Sequence, residues 1–146
     1  MLPEKLRSGK IRLYVTREVL ERLNNLLLES LPSIYSYNDR IRSEGYYLKP
    51  VHIVSRRTSM DSIVKYYYYG RYWYKMEKNE NGRIKWIYLG RSKPSQNLPD
   101  PPENPLEGLV VKKIEDENTI LLMFASEEVF QRLYSKLFAR QQSSQG

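Results

Sequence analysis

Tyr66-Tyr67-Tyr68-Tyr69-Gly70-Arg71-Tyr72-Trp73-Tyr74, continued by Asn81-Gly82-Arg83-Ile84-Lys85-Trp86-Ile87-Tyr88-Leu89-Gly90-Arg91, is dense in residues that favour strands. Asn81-Gly82 carries the signature of a type I′ hairpin turn. Gly70-Arg71 suits a two-residue type II′ turn. The spacing therefore predicts a meander of three antiparallel strands, at 64–69, 72–79 and 84–90. Such pairing sets Tyr68 opposite Trp73, Met76 opposite Ile87 and Lys75 opposite Tyr88. Alternation of side chains then gives two faces. One holds Tyr67, Tyr69, Tyr74, Met76, Ile87 and Leu89, and is expected to pack on helices. The other holds Tyr66, Tyr68, Trp73, Lys75, Trp86 and Tyr88. Flat rings flanked by cations are what sheet-based single-strand binders use, because bases stack on rings while Lys and Arg hold phosphates. Arg71, Lys78, Arg83, Lys85, Arg91 and Lys93 fall at the expected turns and edges, within reach of a nucleic-acid backbone. The same rings also suit a protein interface or a packed core.

On either side of this ribbon stands a strand followed by a helix. Ile11-Arg12-Leu13-Tyr14-Val15 alternates; Thr16 sits at an N-cap position; Val19, Leu20, Leu23, Leu26 and Leu27 form an apolar stripe that Pro32 is expected to end near Ser30. Ile120 to Phe124 reads as another strand, Ser126 as its cap, and Val129, Phe130, Leu133, Leu137 and Phe138 as the stripe of a second helix. Offset by 110 positions, Glu18, Val19, Arg22 and Leu23 coincide with Glu128, Val129, Arg132 and Leu133. That pattern suits a degenerate β–α repeat, and equally two capped helices that converge on one pattern. Leu109-Val110-Val111 and Ile120 to Phe124 flank an acidic turn at Glu115-Asp116-Glu117-Asn118 and predict a hairpin. Residues 33–62 are polar with one expected strand at Val51-His52-Ile53-Val54. Residues 94–108 hold five of the eight prolines and read as a linker or an extended surface loop. The expected whole is one α+β domain over residues 1–140, an antiparallel sheet with two main helices, and a disordered polar tail at 141–146.

The quoted run resembles a Tyr-rich three-stranded segment found in small archaeal, viral and transposon-associated proteins presumed to bind DNA. The likeness covers about a fifth of the chain, and Arg71 stands where that pattern often has Pro. Lys10 to Leu27 is also similar to the strand and first helix of ribbon-helix-helix repressors. That resemblance implies that Arg12 and Tyr14, or Lys10, read a major groove. The second helix it requires, around Ile34–Glu44, lacks apolar periodicity.

Charge points the same way. The chain carries a formal net charge of +7, and residues 63–93 alone contain eight Lys/Arg against two Asp/Glu, beside an acidic C-terminal part. Clustered positive charge is the electrostatic footprint of a polyanion partner. There is no cysteine and one histidine, His52, which excludes disulfides, thiolate zinc sites and His-pair metal motifs. No Gly-rich phosphate loop is present. His52 alternates with Val51 and Ile53 and reads as a strand-face residue. Glu115-Asp116-Glu117 reads as a solubilising turn rather than a Mg²⁺ site. No catalytic residue, metal or cofactor is expected. No apolar leader follows Met1, and no run is long enough to span a bilayer. A cytoplasmic location, or a host cytoplasm for a viral protein, is the expectation. High Tyr, Lys and Glu without Cys is a composition expected of a thermophile, such as an archaeon or its virus. The expected function is non-catalytic DNA or RNA binding, as a homodimer, in regulation or packaging. The alternative is an inhibitor or adaptor whose Tyr/Trp face docks on a partner protein.

Overall fold

Two amphipathic helices find their partner in a single antiparallel sheet. The computed structural model describes residues 2–138; the expected disordered tail at 141–146 lies outside them. The strands and helices are β1 (Glu4–Lys5), β2 (Ile11–Val15), α1 (Arg17–Ile41), β3 (Tyr46–Arg57), β4 (Ile63–Lys78), β5 (Ile84–Gly90), β6 (Leu109–Ile114), β7 (Thr119–Phe124) and α2 (Glu127–Phe138). The sheet has seven strands in the order β1-β2-β7-β6-β4-β3, with β5 also pairing β4. The fold is α+β, as the sequence predicts.

The two strand–helix units lie together: β2 pairs β7 antiparallel, with Leu13 opposite Leu122. Ile11, Leu13, Val15, Leu109, Val111, Ile120, Leu122 and Phe124 point to one side of the sheet. There they meet Val19 and Leu23 from α1 and Phe130, Leu133 and Leu137 from α2 in the main core. Arg22 of α1 donates to the Leu137 carbonyl at 2.9 Å, tying the helices to each other. The Ser126 hydroxyl accepts from Val129 N–H, which makes the expected cap. Thr16 occupies the N-cap position of α1 without a side-chain bond.

Pro32 does not end α1, contrary to expectation; the helix runs on to Ile41 with Pro32 exposed inside it. A proline deprives the helix of one hydrogen bond. Burial of Tyr37 and Ile41 against Leu48, Trp73 and Leu98 in a second core offsets that loss. α1 thus serves the main core with its first half and the second core with its last.

β4 carries the largest difference from the sequence reading. Gly70-Arg71 forms no turn; residues 63–78 are one continuous strand. β6 pairs with its first half and β5 with its second, on the same edge, while β3 runs along the other edge. Lys49 lies opposite Tyr72 and Val51 opposite Tyr69, so Pro50 faces both Gly70 and Arg71 at an irregularity of the ladder. Asn104 fastens this point: its Nδ2 donates to the Pro50 and Gly70 carbonyls at 2.9 and 3.0 Å, and its Oδ1 accepts from Leu106 N–H. The proline-rich stretch is therefore a packed loop and not a free linker. Leu98 and Leu106 are buried within it, and the Tyr37 hydroxyl donates to the Pro99 carbonyl at 2.6 Å.

Candidate nucleic-acid interface

The helices cover one face of the sheet over β2, β7, β6, the middle of β4 and the start of β3, and pack nothing on the other face. A continuous β4 places Tyr66, Tyr68, Tyr72, Tyr74 and Met76 on the open side by simple alternation, Tyr72 itself being buried there. Direct pairing adds Tyr47 and Lys49 from the start of β3, then His52, Val54 and Arg56 beyond the irregularity. β6 adds Val110 and Lys112, β7 adds Leu121 and Met123, and β2 adds Arg12 and Tyr14. The turn before β5 comprises residues 79–83. The Asn79 side chain accepts from Asn81 and Arg83 N–H, and Gly82 takes the positive φ of 77°. The resulting register sets Met76 opposite Trp86 and Tyr74 opposite Tyr88, one residue away from the expected pairing. Trp86 and Tyr88 consequently join the open face.

The rings touch one another. His52 lies 6.3, 5.5 and 6.5 Å from the ring centres of Tyr68, Tyr72 and Tyr88. Tyr88 also meets Tyr74 at 5.4 Å, Tyr66 stacks beside Tyr68 at 6.2 Å, and Trp86 packs edge-on to Tyr47 at 5.2 Å. Cations sit on these rings: Lys49 over Tyr74, Arg56 and Lys112 over Tyr66, and Arg91 over Tyr72, at 5.1 to 5.8 Å. Gly90, with φ of 119°, turns the chain at the end of β5 so that Arg91 comes back over Tyr72. Glu4 on β1 pairs with Arg12 at 2.9 Å. Among the described residues, no other acidic residue occupies a strand position that alternates onto this face. The outcome is a sheet surface of rings interleaved with Lys10, Arg12, Lys49, Arg56, Arg91 and Lys112.

No family profile, curated protein or solved structure matches this chain.

Of the residues expected at the interface, Tyr66, Tyr68, Trp86, Tyr88 and Arg91 are brought together on the open face. Trp73 is not: it is fully buried among Tyr37, Ile41, Leu48 and Leu98, so no base can reach it. Lys75 and Lys85 alternate to the opposite side, Lys75 beside Tyr46 and Lys85 beside Glu77. Arg71 also leaves the face; its Nε lies 3.9 Å from Glu107. Lys93 is engaged with the Leu98 carbonyl and the Asp100 carboxylate. Arg83 lies in the turn and Lys78 at the far end of β4. Residues of the open face that the sequence reading did not place there are Tyr47, Lys49, Arg56, Tyr72, Tyr74 and Lys112. Reading 63–78 as one strand would have found Tyr72 and Tyr74. Lys49, Arg56 and Lys112 come from strands paired over long sequence distances and carried no local signal.

Burial raises the pKa of several phenols above its ordinary value. Tyr69, on the core side, is raised furthest by desolvation, with Tyr67 adding to it. Desolvation also raises Tyr72, against the lowering effect of Arg91, and raises Tyr74 beside Tyr88. A phenol held neutral in the fold but free to ionise in the unfolded chain stabilises fully below the unfolded value, about 10. That contribution is lost as pH rises above it. The melting temperature should therefore fall above pH ~10, and Tyr69→Phe should flatten that fall. An alkaline decline that Tyr69→Phe leaves unchanged would exclude Tyr69 as its source.

Proposed function

We propose that the open face binds nucleic acid, DNA in the first instance, and that the protein acts by binding alone, in regulation or packaging. One observation carries the reading. A sheet packed by helices on one side carries on its other side a field of aromatic rings and cations, where Glu4 is the one acidic residue at a strand position among the described residues. Burying such a surface in a protein core would strand its charges. Phosphates complement the cations and bases complement the rings. Among the described residues no three His, Asp or Glu side chains gather as a metal would need, and no helix is long and apolar enough to cross a membrane.

A second reading draws support from β5. Ile84, Trp86 and Tyr88 are about half exposed there, and Leu89 on its other side is exposed too. An apolar strand of this kind fits a protein partner or a second copy of the chain. Salt separates the readings. Anisotropy titrations of labelled single-stranded DNA, duplex DNA and RNA at several salt concentrations should show affinity falling log-linearly with salt. Absence of binding at low salt, or affinity indifferent to salt, would refute the nucleic-acid reading and favour the protein partner.

A further inference from the structure

Where β6 ends and β5 begins along the same edge of β4, the open face is dented. A hollow of about 290 Å³ lies there, walled by Tyr68, Tyr72, Val110 and Met123, with Lys10 and Arg91 also lining it. Tyr68 and Tyr72 flank Gly70 on this side of β4, and a side chain at Gly70 would meet the Arg91 guanidinium and the Tyr72 ring at 3.6 Å. Both are ordinary contact distances, and the Arg91 guanidinium lies over the Tyr72 ring beside this point. Pockets that enclose drug-sized ligands span roughly 300–1,000 Å³; this one is of the size for a single ring system. Its walls are aromatic and apolar, and two cations lie where phosphates on either side of an inserted base would pass.

We infer that this hollow receives one unpaired nucleobase, and that the ligand of the open face is therefore single-stranded nucleic acid. The inference rests on the nucleic-acid reading given above. In a duplex, the faces of the bases are hidden by stacking and only edges and phosphates are presented. Tyrosine and histidine rings then have little to bind, and a dent in the surface has nothing to admit. An unpaired strand offers base faces to the rings of His52, Tyr68 and Tyr88 and can turn one base into the hollow. The cations beside the rings hold the backbone in register with them.

The test compares three ligands at one salt concentration: a dT 12-mer, a 12-mer of the same charge made wholly of abasic sugar-phosphate, and a 12-base-pair duplex. An rU 12-mer runs alongside, and if it binds more tightly than dT it takes the place of dT in every comparison below. The dT strand should bind about tenfold or more tightly than the abasic strand, as expected for loss of base stacking, and more tightly than the duplex. Val110→Trp, which fills the hollow from its wall, should lose about tenfold on dT, the worth of one base, and nothing on the abasic strand. Photo-crosslinking of a 5-iodouracil strand to the unmodified protein gives an answer even if Val110→Trp fails to fold: adducts should fall on Tyr68, Tyr72 or Met123. Equal affinity for dT and abasic strands, or tighter duplex binding, overturns the single-strand inference while leaving the nucleic-acid face standing. Crosslinks confined to residues away from the hollow, or a folded Val110→Trp that binds dT like the parent, overturn the base pocket. Failure of every ligand to bind overturns the nucleic-acid reading itself.

Discussion

Trp73→Ala is expected to cost about 3–5 kcal/mol of folding free energy, the range for removing a buried aromatic side chain. Trp73 is fully buried and meets the Tyr37 ring edge-on at 6.0 Å. Ile41, Leu48 and Leu98 close the cluster around it. This second core is small, and together with the paired hydrogen bonds between the Asn38 side chain and the Leu48 backbone it holds the last turns of α1 beyond Pro32. Losing its largest member leaves Tyr37, Ile41 and Leu98 facing a cavity and should loosen the helix end and the proline-rich loop together. Denaturant unfolding measures the loss. At a temperature where the variant remains folded, its affinity for nucleic acid should equal that of the parent, because Trp73 lies beneath the sheet. A variant of undiminished stability that binds poorly would place Trp73 on the ligand surface and reverse the assignment of the two faces.

The second large effect concerns charge. Arg91→Glu combined with Lys112→Glu should weaken binding to every sequence alike and lower the salt slope by about two units, one for each phosphate contact removed. Both side chains lie over rings of the open face and are exposed or half-exposed, so their reversal should leave the melting temperature little changed. The companion variant, Arg83→Glu with Lys85→Glu, removes the same formal charge from the turn and from the opposite side of the ribbon. Its slope should stay near that of the parent. Equal slopes for the two double variants would mean that net charge, rather than this face, governs association.

Much of the fold was legible because its signals are local. Each strand–helix unit announces itself by alternation, a cap position and an apolar stripe, and the β6–β7 hairpin by its acidic turn with Asn118 at positive φ. The existence of an aromatic, basic sheet face was legible too, since Tyr66, Tyr68, Trp86 and Tyr88 could be sorted from composition and period. Its membership was not. A glycine between strand formers marks a turn or a close approach of other groups, and nothing nearby distinguishes them. Here the answer lies in Asn104, which holds the Gly70 and Pro50 carbonyls. It is many residues away from both. The side chain of Asn79 organises the turn before β5, and the one-residue difference in register exchanges every side chain of β5 between faces. Those two effects together moved Trp73 and Lys75 off the open face and left Trp86 and Tyr88 on it. Pro32 misled for a similar reason: a helix breaker is outweighed when the residues beyond it find a core that only the folded chain supplies.

The tyrosines themselves report most directly on which face binds. Seven of the thirteen, Tyr14, Tyr47, Tyr66, Tyr68, Tyr72, Tyr74 and Tyr88, belong to the open face. Tyr35, Tyr37, Tyr46, Tyr67, Tyr69 and Tyr134 lie on the helices or on the side of the sheet the helices cover. Ring-selective ¹³C labelling of tyrosine makes each ring visible to NMR during titration with an oligonucleotide. Binding at the open face predicts shifts or broadening concentrated in the first group, greatest at Tyr66, Tyr68, Tyr74 and Tyr88, with the second group still. Saturating binding that moves Tyr35, Tyr67 or Tyr134 and leaves those four unmoved would contradict it.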